Sequence, residues 1–498
     1  MNYLKNTCFF LLALTAMFFL WIPIGIRAIF GDIELASIIF HIFMPKTNMG
    51  LDWLIILSIY LIICIVSIGI IGYLYLHFEK RRLGLIILMF LTLAFDAYYL
   101  EVHFSAGNYL ISRTKTSPFI EQHYVFPQDT AIQFPQHKRN LIFIQVESLE
   151  SSMQDKQHGG LFSVNYIPEL TALAQNNISF SSSDLIEGAI VLPESGWTMG
   201  GLVAETAGIP LKSYKLHHAR EQIGNHYHEY KSFLSQVISL GDILKAAGYK
   251  NYFFLGSSGN FAGQDIYLKN HGSYEIYDQE QIKEKLNVEK PEQSWWGILD
   301  QDLYTFSKQK LTELAHTSQP FSVLIQTIDS HRGGYLSPAC PQRYNEQIKN
   351  VYACVSAQLN EFITWCSQQD FFKDTTIVVV GDHCNMERTF LWNDINPQTG
   401  YYEGKKRKVY NVFINSAIKP YKEKNRLFST FDIFPTTLAA LGVQIQGDRL
   451  GLGTNLFSDK QTLLEQYDYE YVSEELRKKS NFYNEKLLFP KHMFKIWK

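Results

Sequence analysis

TTIVVVGDHC, residues 375–384, opens as a run of β-branched residues and ends on glycine, aspartate, histidine and cysteine. A continuous apolar run of this kind fits a strand buried on both faces, as in parallel sheets with helices on either side. Three other segments have the same character: LIFIQV (141–146), NYFFLG (251–256) and FSVLIQT (321–327). Stretches with helical period lie between them, among them VISLGDILKAAG, LYTFSKQKLTELA and VYACVSAQLNEFITWC. The alternation predicts an α/β domain whose mostly parallel central sheet is flanked by helices.

Each strand-like run is followed by polar residues: Glu147 and Ser148, Ser257 to Asn260, Asp329 to His331, and Asp382 with His383. Open parallel sheets bind ligands beyond the carboxyl ends of their strands, so these pieces predict one composite site. Acids and histidines also begin loops for no functional reason, and the inference rests on the repetition. Glu147, Asp382 and His383 together offer hard oxygens and one imidazole nitrogen, a set suited to a divalent cation. Ligand hardness alone leaves manganese, magnesium and zinc open. A nucleophile is offered by GAIVLPESGWTMGGLVAETAG (188–208), where a loop gives way at Thr198 to a helix of small residues. A hydroxyl there would sit among free N–H groups that hold anions and stabilise an alkoxide. Thr198 could equally be a simple N-cap, and Ser195 is the competing hydroxyl.

The chain has 498 residues, 45 basic and 48 acidic, with a net charge of -3 and no basic stripe, which excludes nucleic acid as the expected partner. Its apolar residues crowd into the first hundred positions. CFFLLALTAMFFLWIPIGI, between Lys5 and Arg27, and WLIILSIYLIICIVSIGIIGYLYL (53–76) are each long enough to cross a bilayer. The first is read as an uncleaved anchor rather than a signal peptide, since no small-x-small cleavage site follows it. A third candidate starts at Leu83 and meets Asp96, and 33–44 reads as interfacial or as a fourth crossing. Lys80, Arg81 and Arg82 should stay cytoplasmic, which puts everything after about residue 105 outside. The expected division is a transmembrane anchor of three or four helices (1–104), a linker (105–139), a catalytic domain (140–460) and a tail packing on it (461–498). The basic end of the tail, 491–498 with Phe494 and Trp497, has membrane contact as a lesser reading. An oxidising compartment favours a disulfide between Cys340 and Cys354, with Cys366 and Cys384 as a second candidate pair.

NLIFIQVESLESS, SGWTMGGLVAETAGIPL, LGDILKAAGYKNYFFLGSSGNFAGQDIYLKNHG, WWGILDQD, IDSH, IVVVGDH and LGLG, in this order, resemble the bacterial phosphoglycerol transferases of the alkaline phosphatase superfamily. Enzymes that decorate periplasmic glucans look nearest, and lipoteichoic acid synthases more distant. The resemblance implies a sulfatase-like domain with Glu147, Thr198, Asp382 and His383 on a metal, manganese before magnesium or zinc, and Thr198 as nucleophile. It implies that His331 and Asn260 face the substrate, that phosphatidylglycerol is the lipid donor and an envelope glycan the acceptor, and that the protein is embedded in a bacterial inner membrane with its catalytic domain on the periplasmic side. Gln264 stands where these relatives carry arginine or lysine, which leaves the head group open between glycerol and ethanolamine. A catalytically inactive sensor on the same fold is the alternative of another class. The Cys-x-Pro-x-Arg pattern of sulfatases is absent: Cys340-Pro341-Gln342-Arg343 has the wrong spacing and lies far from Thr198.

Overall fold

The computed structural model describes residues 2–31, 33–43, 51–212, 233–291, 296–386 and 407–488, so the basic tail end at 491–498 lies outside the described residues. The chain forms two compact units, Met1–Ile38 with Met49–Ile111 and Ile39–Asn48 with Ser112–Lys498.

The first helices are α1 (Asn2–Phe30), α2 (Leu35–Phe43), α3 (Leu51–His77) and α4 (Arg82–Phe104). Among the described residues three segments are long and apolar enough to cross a membrane: Tyr3–Ile29, Ile55–His77 and Glu79–Phe104. α2 has 9 residues, and at about 1.5 Å per residue such a helix falls well short of the roughly 30 Å hydrocarbon layer. Within the first unit α1 packs on both α3 and α4. Phe9 stacks on Tyr75 with ring centroids 3.7 Å apart, and fully buried Ala13 and Ala16 let the helices approach. Ile62, Ile65, Phe90 and Leu91 face outward, as residues in contact with lipid acyl chains do.

The second unit is built on a six-stranded sheet: β1 (Asn140–Val146), β2 (Lys250–Leu255), β3 (Glu275–Tyr277), β4 (Phe321–Gln326), β5 (Thr375–Gly381) and β6 (Asn411–Ile414). The strand order is β3-β2-β4-β1-β5-β6, parallel except for β6. The helices that bear on the site are, in chain order, α5 (Pro168–Asn176), α6 (Thr198–Ala207), α7 (Gln264–Asn270), α8 (Asp300–Ala315), α9 (Gln347–Ser367), α10 (Ile433–Ala440) and α11 (Tyr469–Arg477).

Alternation along each strand sends successive side chains to opposite faces. Ile142, Ile144, Val323, Ile325, Ile377 and Val379 join one core with residues of α5, α8 and α9. Each is completely buried, and burial of such a side chain contributes about 1.5–3 kcal/mol. On the other face Gln145 donates to Glu205 of α6 and Thr376 to the Ala440 carbonyl of α10. The sheet is therefore covered on both sides, which is why its strands read as unbroken apolar runs. Beneath that face, Gln326 donates to Gln145, which in turn donates to Glu205, so the buried amides are satisfied as a chain.

Cys340 and Cys354 form a disulfide, while Cys366 and Cys384 are not joined to each other. The second expected pair fails because the two residues lie at opposite ends of β5. Cys366 ends α9, before the strand starts, and Cys384 lies beyond the strand's carboxyl end. The strand has 7 residues, which at about 3.3 Å each separates the two thiols by far more than a disulfide spans.

Candidate active site

Because β1, β2, β4 and β5 run parallel, the segments after them emerge on one edge of the sheet. β1 delivers Glu147 and β5, its hydrogen-bonded neighbour, delivers Asp382 and His383. Ligand atoms from these three buried residues lie within 4.8 Å of one another. His383 Nε2 is 3.3 Å from Glu147 Oε1 and 3.4 Å from Asp382 Oδ2.

The loops that carry these groups are tied down by the backbone. Asp382 Oδ1 accepts from the Ser148 and His383 N–H groups, each at 2.7 Å. Ser148 adopts φ 53, a left-handed conformation that a residue with a Cβ enters only when its surroundings enforce it, and its hydroxyl donates to Glu147 at 2.7 Å. His383 Nδ1 lies 2.9 Å from the Cys384 carbonyl. A carbonyl can only accept, so Nδ1 carries a proton and Nε2 is the nitrogen that faces the carboxylates, the one whose proton a cation would displace.

α6 brings in Thr198 as its first residue, with Trp197 in the capping position. Thr198 Oγ1 lies 3.2 Å from Glu147 Oε2 and 3.4 Å from His383 Nε2. Ser195, the other candidate hydroxyl, is fully buried and donates to the Leu192 carbonyl at 2.6 Å. The approach of α6 depends on Gly201: a Cβ there would meet the Asp382 carbonyl oxygen at 2.5 Å.

Electrostatics of the bare cluster favour a cation. Burial pushes the Asp382 carboxyl up to about 7 and the charge of Glu147 adds to the rise. His383, which burial alone would lower, is held up at about 10 by Asp382 and then Glu147. Glu147 stays down despite burial because His383 offsets it. Asp382 Oδ2 is buried and has no hydrogen-bond partner among the described residues. Crowded carboxylates, an orphaned oxygen and an imidazole nitrogen facing them fit a divalent ion that displaces the imidazole proton, with Thr198 close enough to share it.

His331 is half-buried in the loop after β4, its ring 4.6 Å from that of Trp296. Burial lowers its pKa, so the ring is neutral at pH 7, and Glu147 is among the charges acting on it. Asn260 follows β2, and its side-chain oxygen accepts from Ser258 at 2.7 Å within the same loop. Gln264 begins α7 and is buried, its Oε1 without a partner among the described residues.

Several supporting residues escape a reading of motifs. Gly297, the residue after Trp296, bridges to Ser257 just beyond β2, and the sequence-distant Trp296 indole packs on His331. Asp300 and Asp329 cap each other's segments: Asp300 accepts from the Ile328 and Asp329 N–H groups, and Asp329 from that of Asp300. Glu150, paired with buried Arg407, accepts from the Asn385 N–H at 2.8 Å and so fixes the loop that follows His383. The sequence hints at these only through acids set beside the main motifs.

The sulfatase family model matches residues 214–443, a stretch that holds His331, Asp382 and His383 and begins after Thr198. The chain is 33% identical over 343 residues to phosphoglycerol transferase I of Salmonella choleraesuis (strain SC-B67), covering 67% of this chain and 41% of that protein. Against phosphoglycerol transferase I of Salmonella paratyphi B the identity is 32% with the same coverage. The chain thus spans about two fifths of the length of these curated relatives, 41% in each case. A solved structure of a protein in the alkaline phosphatase superfamily from Vibrio parahaemolyticus is similar with a TM-score of 0.51 and 19% identity, covering 67% of this chain and 74% of that one, a likeness of fold.

Proposed function

We propose that this chain, of which residues 214–443 match the sulfatase family model and which is similar to curated phosphoglycerol transferases, is a sulfatase-family member of the alkaline phosphatase superfamily and a membrane-anchored phosphotransferase that moves glycerol phosphate from phosphatidylglycerol to a glycan of the cell envelope. The observation that carries the reading is Thr198 Oγ1, at the first position of α6, 3.2 Å from Glu147 and 3.4 Å from His383. A hydroxyl so placed has an acceptor for its proton and the N–H groups of a helix terminus around it.

Thr198 Oγ1 attacks the phosphorus of the lipid phosphodiester while its proton passes toward Glu147. The bond from phosphorus to the diacylglycerol oxygen breaks, and that oxygen takes up a proton, with neutral His331 near enough to the acids to orient the substrate or relay a proton. Thr198 then carries glycerol phosphate as a phosphodiester. A glycan hydroxyl attacks the same phosphorus, its proton is taken up, and Thr198 leaves with a proton restored. Glu147, Asp382, His383 and Thr198 would hold a divalent metal, manganese first and magnesium or zinc as alternatives, which supplies a positive charge to the phosphoryl oxygens and a lowered hydroxyl pKa. Outward placement of the catalytic unit is supported by the Cys340–Cys354 bridge and by the cluster Lys80, Arg81 and Arg82 between α3 and α4. An anchor beside the donor raises its effective concentration.

The test is release of labelled diacylglycerol from phosphatidylglycerol and, separately, phosphatidylethanolamine by detergent-purified full chain with manganese, magnesium or zinc. Metal-dependent release from phosphatidylglycerol supports the reading. Release from phosphatidylethanolamine alone would replace glycerol by ethanolamine, and turnover of neither lipid would abandon this donor class.

A further inference from the structure

In sequence α2 (Leu35–Phe43) lies between the apolar helices α1 and α3, yet the stretch that begins at Ile39 belongs to the second unit. Ala36, Ser37 and Phe40, spaced three and four apart, share one side of this helix and are buried. Phe40 is completely buried, with its ring centroid 5.7 Å from that of Trp197. Successive residues of a helix point about 100° apart, and His41 accordingly meets a different wall, its ring 6.0 Å from that of Phe261 in the loop after β2. From Phe261 the rings continue to Trp296 at 5.7 Å and from Trp296 to His331 at 4.6 Å. One short helix thus touches both the entry to α6 and the aromatic residues that run to His331.

The contact with Trp197 bears on the nucleophile. Trp197 holds the capping position of α6, directly before Thr198, and makes no side-chain hydrogen bond to the helix start. An indole N–H can only donate, so it cannot accept from the first amides as serine, threonine or aspartate would. Its Nε1 is buried and has no hydrogen-bond partner among the described residues. The indole is therefore held by packing. It lies against the first turn of α6, where a Cβ at Gly200 would stand 3.2 Å from Trp197 Cδ2, and Phe40 packs on it from α2. The Trp197 carbonyl accepts from the Gly201 N–H at 2.8 Å, the opening hydrogen bond of the helix. A shift of the indole moves that carbonyl, and Thr198 is the next residue along the chain.

We propose that Phe40 is a positioning residue for the nucleophile: α2 completes the active site by packing Phe40 on Trp197, which fixes where Thr198 Oγ1 stands relative to Glu147 and His383. The inference rests on the reading of Thr198 as the nucleophile. It makes the segment between the first two apolar helices part of the catalytic machinery as well as of the anchor.

The experiment compares the detergent-solubilised full chain with Phe40→Ala and Phe40→Leu. Diacylglycerol release from phosphatidylglycerol in mixed micelles gives kcat and KM, manganese calorimetry counts the metal-binding protein to which kcat is referred, and hydrogen exchange followed by mass spectrometry reads the backbone of residues 197–207. Phe40→Ala should lower kcat by roughly 10- to 100-fold, the scale of a small misplacement of a reacting group, with KM within about threefold of the parent. Exchange at the start of α6 should quicken, and Phe40→Leu, which fills most of the volume, should recover part of both losses. Parental kcat and exchange in a folded Phe40→Ala protein overturn the inference. A loss of activity that vanishes once kcat is referred to metal-binding protein also overturns it, since Phe40 would then only support the fold. Where Phe40→Ala does not fold, Phe40→Leu decides by the same readings. Quickened exchange at α6 in a parent chain that turns over no lipid would keep Phe40 as the brace of Trp197 and remove the reading of Thr198.

Discussion

Thr198 Oγ1 donates toward Glu147 Oε2 across 3.2 Å, joining the first residue of α6 to the end of β1. The contact unites the proposed nucleophile with one of the three acidic and imidazole groups that would hold the metal. Thr198→Ala should lower diester turnover by roughly a thousandfold or more, while metal affinity falls only a few-fold because Glu147, Asp382 and His383 persist. Thr198→Ser, which keeps the oxygen, should retain measurable activity. Comparable turnover in the alanine and parent proteins would exclude a covalent route through this residue.

Metal affinity should climb with pH. In the bare site His383 titrates at about 10 and Asp382 at about 7. At neutral pH the bare cluster therefore holds a proton on the imidazole and about half a proton on the carboxyl, and a cation must expel both. Raising the pH removes protons that compete with the ion, so the logarithm of the association constant should rise by about one unit per pH unit from pH 7 to 9 and more steeply below 7. Calorimetry of manganese binding in buffers of different ionisation enthalpy reads the proton release directly. A pH-independent constant with no proton release would mean that His383 and Asp382 do not hold the ion.

The parts of this site that the sequence discloses are those fixed by local pattern. TTIVVVG and LIFIQV are legible as buried strands because both faces are apolar, and the residues after them are then bound to emerge at one sheet edge. β3 and β6, of three and four residues, are too short to raise a pattern, and only their pairing with β2 and β5 makes them strands. Thr198 against Ser195 could not be decided locally, since both hydroxyls lie near the start of one helix. The Leu192 carbonyl that occupies Ser195 is a consequence of the turn, not of composition. Trp296 on His331 and Arg407 on Glu150 join residues separated by long stretches of chain, and periodicity carries no information about such pairs.

Gly201 is where helix and strand end come closest. A methyl group there would stand 2.5 Å from the Asp382 carbonyl oxygen and 3.1 Å from its Cβ. Alanine would favour the helix by about 1 kcal/mol in isolation, yet here it must push α6 off β5. Gly201→Ala should therefore lose about 1–3 kcal/mol of stability and a larger share of turnover, because Thr198 moves with the helix. Thermal melting and diester turnover measured together check this, and a variant that gains stability with full activity would show that α6 has room to spare.

Glu194 sits four residues before Thr198 and is buried between two cations. Its carboxylate pairs with Arg113 and, at 3.0 Å, with Lys212, whose ammonium also donates to the carbonyls of Leu476 at the end of α11 and of Lys478 just beyond it. Its own carbonyl accepts from Leu211, and it holds φ 64. The loop that leads into α6 is thereby fastened to Arg113 and to the end of α11. Replacing the acid with glutamine keeps the shape but removes the negative charge that faces buried Lys212 and mostly buried Arg113, a change that costs about 3–5 kcal/mol. Glu194→Gln should unfold at correspondingly lower denaturant and lose turnover through kcat, since the displaced group is the nucleophile's support. Adding Lys212→Met to that variant removes one of the stranded charges and should recover part of the stability. A loss below about 1 kcal/mol in the single variant, or no recovery in the double, would mean that water reaches these charges and that the loop is held in some other way.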